Sequence, residues 1–347
     1  MDSRSADRLF AGIDAAAQAN RFSGVVSLHL GPNLVFERAY GYADRSNRVA
    51  NAMQTRFGTA SATKTFTALS VCALIEQELL ALDTPVTDVL GVELPHVSHD
   101  VTIEHLLTHT SGIGDYYDEE VVTDVTSFHV SIPWYRLERP RDYLPLVAEP
   151  PPKFAPGERF SYCNSGFILL GLVVEELAGV AYQEFVQTRV FERAGMSESG
   201  FVRLDALPER TAIGYIEADG TWRTNVYNLP VVGGPDGGAF STAADMAKFW
   251  SALHRDLIVG REWRERFLRP RVPASTSGVF YGLGVWIYQG RDRAPFHLVD
   301  GADAGVSFRS LYGRESGISY TVACNAPPGA RAIVDLLDDA IVGLDRG

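Results

Sequence analysis

Apolar and polar positions follow two rhythms along this chain, and where each falls predicts the architecture. Helical spacing over "DRLFAGIDAAAQAN" is followed by two β-rich runs in "SGVVSLHLGPNLVFERAYGYAD", joined across a Gly-Pro-Asn turn. The far end mirrors this order. "YGLGVWIYQG", "GVSFRSLYG" and "GISYTVACN" read as three more strands, and "ARAIVDLLDDAIVGL" reads as a closing amphipathic helix. Between the two ends the pattern turns helical at "TKTFTALSVCALIEQELL", "TIEHLLTHT" and "NSGFILLGLVVEELAG". Long connections rich in proline and aromatic residues separate these segments.

This order predicts an α+β fold: an antiparallel sheet built from both chain ends and flanked by helices, with a mostly helical domain inserted between them. The boundaries follow the change of rhythm, with residues 1–80 and 240–347 forming the sheet domain and 81–239 the insert. No internal repeat or low-complexity segment interrupts the scheme, and "EPPPKFAPGE" is a stiff loop too short to link domains.

Composition narrows the function classes without naming one. At 347 residues the chain can bury a large core, and 46% hydrophobic with 21% charged residues is the balance of a globular protein. A formal net charge of -12, with no Lys/Arg run, excludes nucleic acid as the expected partner. The opening "MDSRSADRLFAGIDAAAQAN" has no continuous apolar stretch, and no run of about 18 apolar residues occurs, so the expected location is cytoplasmic, with no membrane partner. Cys72, Cys163 and Cys324 lie far apart, with no CxxC, and are expected to be reduced.

The candidate chemistry begins where an apolar-periodic run carries a lysine, in "FGTASATKTFTALS". Ser61 is placed at a helix N-terminus, where free N–H groups and the positive dipole end can stabilise an oxyanion. Lys64 at i+3 shares its face. If the helix is buried, desolvation favours a neutral amine able to take the serine proton. The alternative for Ser-x-x-Lys alone is a capping serine beside a lysine that snorkels to water. In "PGERFSYCNSGF", Tyr162 and Asn164 place a phenol and an amide two residues apart before another helix, also a weak signal alone. His105 and His109 at i,i+4 lack the HExxH order of a zinc site and are expected to cap or pack a turn. "GGPDGGAFSTAADM" lacks the Lys-Ser/Thr of a phosphate loop and reads as a tight turn feeding a capped helix. No metal or organic cofactor is implied.

Ser61-Ala62-Thr63-Lys64, Tyr162-Cys163-Asn164, "LLTHTSG", "FAPGERFSYCNSGF" and "GGAFSTAADMAKF", in this order, resemble the serine β-lactamase and penicillin-binding-protein superfamily on its class C branch. That branch also holds carboxylesterases, D-amino-acid peptidases and amidases. The resemblance runs from about Phe57 to Asn325. It implies the same sheet-plus-insert fold with the active site between the two parts. It makes Ser61 the acylated nucleophile, Lys64 its base or proton relay, and Tyr162 the proton shuttle to the leaving group. Asn164 would position the substrate carbonyl or amide, and the oxyanion hole would use the N–H of Ser61 and one near Gly301 and Ala302.

One motif departs from the family. Its Lys-Thr-Gly or His-x-Gly triplet aligns with Val299, Asp300 and Gly301, so an apolar residue stands where a cation would bind a substrate carboxylate. This disfavours a β-lactamase or D-Ala-D-Ala peptidase. His297 lies two residues earlier on the same strand face and is the one candidate replacement, although a displacement of roughly 6–7 Å exceeds an imidazole's reach. Between Gly114 and Pro156, Tyr116, Tyr117, Phe128, Trp134, Tyr135 and Tyr143 accompany several acids. These rings either roof the cleft for a bulky or cationic substrate or pack the insert. The expected activity is that of a serine hydrolase acting through a Ser61 acyl-enzyme on an ester, a lactone, or an amide such as a short peptide. An acyltransferase and a non-turnover binding or sensor module are the alternatives. The oligomeric state is not set by the sequence.

Overall fold

The computed structural model describes residues 3–122, 124–275, 278–289 and 294–342. Helix α1 (Ser3–Ala19) leads into the hairpin β1 (Gly24–Leu30) and β2 (Asn33–Tyr40). A 3-10 turn, Ala60–Thr63, then runs into α2 (Lys64–Glu76). After α3 (Asn164–Ala178) and α4 (Ala243–His254) come β3 (Val272–Pro273), β4 (Val279–Tyr281) and β5 (Trp286–Tyr288). The chain finishes with β6 (Phe296–Asp303), β7 (Val306–Gly313), β8 (Ile318–Cys324) and α5 (Arg331–Ile341). Gly290 and residues 343–344, parts of the expected strand and closing helix, lie outside the described residues.

The eight strands form one antiparallel sheet in the order β2-β1-β8-β7-β6-β5-β4-β3, so the two chain ends meet at the β1–β8 pair, with Gly24 opposite Cys324. This is an α+β fold. Because side chains alternate across a strand, the sheet buries two separate cores. Val26, Leu28, Leu298, Leu311 and Val322 pack with Ile13 of α1 and with Ile333, Val334 and Leu337 of α5. Val25, Val299, Phe308 and Ala323 pack on the opposite side with α2 and α3. On the first face Arg309 bridges Asp300, through two bonds of 2.9 and 3.0 Å, and Asp338 at 2.9 Å.

Between α2 and α4 lie α3, several short helices and a small hairpin, Tyr215–Ala218 with Thr221–Thr224. That hairpin, β3 and β4 escape the sequence pattern because strands of two to four residues carry too few alternations to register. Helix α2 stops short of Leu80: the chain leaves it at Gln77 and turns through Glu78 at φ 60°. Among the described residues no single helix is long and apolar enough to cross a membrane.

Candidate active site

Ser61 is held at the bottom of a cleft by backbone strain and a tight polar knot. Ala60 before it adopts φ 44°, a left-handed conformation costly for a residue with a Cβ, and this reversal starts the 3-10 turn. The knot is made by Thr59, whose hydroxyl donates to Ala239 O at 2.9 Å and lies 3.0 Å from that of Thr63. Helix α2 then enters the core with nearly every residue buried, so Lys64 is only 1% exposed. Its Nζ meets three oxygens: Asn164 Oδ1 at 2.8 Å, Asp236 O at 2.6 Å and Ser61 Oγ at 3.0 Å. Burial pushes the Lys64 amine below its usual pKa, against the opposing pull of Asp236, Glu119, Asp115 and Asp303.

In the neutral form that burial favours, one arrangement of the amine's hydrogens fits these partners. Asn164 Oδ1 and Asp236 O are pure acceptors and take its two N–H donors, which leaves the lone pair facing the Ser61 hydroxyl. The arrangement can therefore draw a proton from Ser61.

Tyr162 approaches the same serine, and the Ser61 hydroxyl acts on its phenol. Its ring centroid lies 4.8 Å from Lys64 Nζ, and the ring packs at a tilt 4.2 Å from His109 and stacks at 6.0 Å on Trp286. Burial holds the phenol well above its ordinary pKa, so it stays a neutral O–H. His109 is also buried. Its Nδ1 accepts the Cys163 N–H at 3.0 Å, which fixes the neutral tautomer with the proton on Nε2. The two histidines take the capping and packing roles expected of them: His105 forms a capping box with Thr102, and His109 packs under Tyr162. Among the described residues no three His, Cys, Asp or Glu side chains are grouped to hold a metal.

Asn164 opens α3, whose first amides are capped from another segment. The two oxygens of Asp115 accept Asn164 N and Ser165 N, each at 2.8 Å. The Asn164 amide is fully engaged, with Oδ1 on Lys64 and Nδ2 donating to Tyr117 O at 2.7 Å. It lines the cleft and orients Lys64 as well.

Strand β6 supplies the opposite wall. Its first residues pair with β5, but from Val299 to Asp303 it pairs only with β7, and this locally free edge abuts the Ser61 turn. A Cβ at Gly301 would stand 2.7 Å from Ser61 N and against Thr59 O, so only glycine permits the approach. Ala302 follows and is exposed. Val299 is 2% exposed and belongs to the core. His297 is not brought to Ser61: it is 4% exposed, lies across from Tyr312, and places Nε2 3.0 Å from Leu268 O. Burial lowers its pKa to about 4, so it is neutral and supplies no cation in place of Val299. The pleat that aims Gly301 at the serine carries His297 two steps back along the strand, into the wall of the core.

Beside Ser61 opens a cavity of about 230 Å³ lined by Tyr116, Tyr117, Phe128, Trp134, Asn164, Asp236 and Asp303, with leucine and valine side chains. The aromatic loop therefore splits: those four rings face the cavity, Tyr143 is buried in the core and Tyr135 is 65% exposed. Tyr116 donates to Asp236 Oδ2 at 2.5 Å. Asp236 and Asp303 are absent from the sequence-based site. Burial raises both, Asp303 to about 7. The available signals were slight, namely the one acid within "GGPDGG" and an acid two residues beyond Gly301 on the same strand face.

Known proteins share this arrangement of elements. Penicillin-binding protein 4* of Bacillus subtilis (strain 168) is 27% identical over 292 residues, covering 80% of this chain and 62% of that protein. Esterase EstB of Burkholderia gladioli is 34% identical over 223 residues, covering 60% of this chain and 54% of that one. The chain thus spans about three-fifths of the length of the first curated relatives it matches. Among solved structures, a penicillin binding protein from Bacillus halodurans superposes with a TM-score of 0.89 at 43% identity, over 94% of this chain and 99% of that one. D-amino acid amidase from Ochrobactrum anthropi SV3, at a TM-score of 0.80 and 20% identity over 97% of this chain and 99% of that one, shares the fold alone. The family model described as Beta-lactamase matches residues 7–341, and the chain belongs to that family.

Proposed function

We propose that this protein is a serine hydrolase that opens an ester or amide through an acyl-enzyme on Ser61. The observation that carries the reading is the buried Lys64 amine, whose two N–H donors are taken by Asn164 Oδ1 and Asp236 O while its third direction meets Ser61 Oγ at 3.0 Å. As Oγ bonds to the substrate carbonyl carbon, its proton passes to Lys64 Nζ. The N–H of Ser61 and the β6 backbone at Gly301 and Ala302 lie where the oxyanion forms. When the tetrahedral adduct collapses, the leaving alcohol or amine takes a proton through Tyr162, whose raised pKa makes it a neutral donor and not a tyrosinate base. Water then repeats the sequence and frees the acid.

In this reading Ser61 and Gly301 come from the sheet part, and Tyr162, Asn164 and Asp236 from residues 81–239, proposed as a distinct helical unit with the reaction at the seam. Curated relatives named as an esterase and as penicillin-binding proteins support an ester or amide substrate, small or a short peptide. Cys72, Cys163 and Cys324 are free and buried, which accords with a reducing, cytoplasmic setting. The test is Ser61→Ala: turnover of a p-nitrophenyl ester by the purified variant is expected to fall by at least about a thousandfold. Undiminished hydrolysis would remove the assignment.

A further inference from the structure

The wall of the cavity next to Ser61 carries a charge pattern with a chemical meaning. Asp303 ends β6 two residues beyond Gly301, so the pleat directs it to the same face, roughly 6–7 Å further along the strand. It lines the cavity with Asp236, and the lining includes no Lys, Arg or His. Among the described residues no cation pairs with the Asp303 carboxylate, and the hydrogen bond it has is from the Ala304 amide. Asp236 is different, being held by Tyr116. Lys64 is the nearest positive group, but its three directions are occupied by Asn164, Asp236 O and Ser61. Asp300, the neighbour that could confuse the count, points to the other face and is neutralised by Arg309.

Among the described residues, therefore, no positive charge completes this wall. On the same face, two residues before Gly301, the position where a cation would meet a substrate carboxylate is Val299, buried in the core. The polarity is reversed relative to a site that reads a carboxylate. Next to Asp303 the cavity turns apolar, with Phe128, Trp134, Leu204, Val226, Leu229 and Val306.

We propose that Asp303, backed by Asp236, docks a protonated amine of the substrate. The preferred substrate is then an aminoacyl amide or ester whose ammonium lies a few bonds from the scissile carbonyl and whose apolar side chain fills the sleeve. This rests on the hydrolase reading above and names its substrate class. A charge-assisted bond from ammonium to carboxylate in a partly desolvated cleft is strong enough to favour such a substrate by about ten- to a hundredfold. An anionic group at the same place meets Asp303 and Asp236 and is rejected.

The test compares kcat/KM for three p-nitrophenyl esters of one apolar skeleton: phenylalanine, 3-phenylpropionate and N-succinyl-phenylalanine, each amino-acid ester in both enantiomers. The wild-type protein is expected to prefer one phenylalanine ester over the desamino ester by at least tenfold at pH 7, after correction for spontaneous hydrolysis. Asp303→Asn reduces that ratio about tenfold, and Asp303→Lys shifts preference toward the succinyl ester. Folding of each variant is checked by its melting temperature and by fluorophosphonate labelling of Ser61. A wild-type ratio near one, or a ratio unchanged in Asp303→Asn, overturns the proposal while leaving the hydrolase intact. Absence of turnover for all three esters together with an unlabelled Ser61 overturns the hydrolase reading itself, and this proposal with it.

Discussion

The two sides of Ser61 are built on opposite principles. Toward Lys64, Tyr162 and Asn164 the polar atoms are closed within the protein: Lys64 meets three oxygens, Asn164 uses both ends of its amide, and Asp115 caps the helix behind them. Toward the cavity, no cation among the described residues forms an ion pair with Asp303, and the surrounding wall is largely apolar. Groups that move a proton within the protein need fixed positions, and internal hydrogen bonds fix them. Groups that choose a substrate must keep capacity free for it. The closed side thus carries the reaction in our reading, and the open side carries the selection.

The sharpest way to break this comparison is at Lys64. Lys64→Ala is expected to slow acylation by about a hundred- to ten-thousandfold, measured as the p-nitrophenol burst. Lys64→Arg should be nearly as slow, because a guanidinium keeps its charge and offers no lone pair. Retention of activity by the arginine variant would show that the site needs a charge and not a base. The pH profile gives the same answer by another route. Because burial lowers the amine's pKa, the acylation rate should climb as pH rises and level off below the ordinary lysine value of 10.5.

A smaller effect is expected where the two sides join. Gly301→Ala puts a methyl group against Thr59 O and 2.7 Å from Ser61 N, which displaces the strand from the proposed oxyanion position. A loss of about a hundredfold in kcat is expected from steady-state kinetics with a simple ester. A variant with wild-type kcat would place the oxyanion elsewhere.

The smallest effect concerns stability and belongs to the open side alone. Asp303 faces Asp236, Glu119 and Lys64, and burial with the two carboxylates raises its pKa to about 7. A raised carboxyl keeps its proton in the folded state after the unfolded chain has lost it, so its contribution to stability falls as pH rises from about 4 to 7. Asp303→Asn removes that slope and should stabilise the free protein at pH 8 by about 1–2 kcal/mol in urea titrations, with little change at pH 4. An equal change at both pH values would trace the effect to packing and not to charge.

How much of the site is legible in the sequence follows the same division. Ser61 with Lys64, and Tyr162 with Asn164, are pairs whose spacing is set by one helical turn or one strand step, so the local sequence states it. Gly301 is legible only through the family resemblance, and the structure supplies the reason, since its close approach to the Ser61 turn admits no side chain. Asp236 and Asp303 meet only through tertiary convergence of a glycine turn and a strand end, and neither segment signals the other. His297 shares the face of Val299 and Gly301, yet its partners, Leu268 O and the ring of His254, come from distant segments that no periodicity announces. The aromatic loop was equally mute. Nothing in the sequence separates Trp134, which lines the cavity, from Tyr143, which is buried in the core. For the fold, the long strands and helices were plain, because each carries several turns of its period, while β3, β4 and the Tyr215–Thr224 hairpin were too short to show one.

The account turns on a nucleophilic Ser61 served by a neutral amine, and the most direct measurement is the rate at which a fluorophosphonate adds to that residue as pH is varied. Peptide mass spectrometry locates the adduct. One adduct at Ser61, forming faster with rising pH up to a plateau and nearly abolished in Lys64→Ala, is the predicted result. An adduct on another residue, or labelling of Ser61 at a rate indifferent to both pH and Lys64, would contradict it.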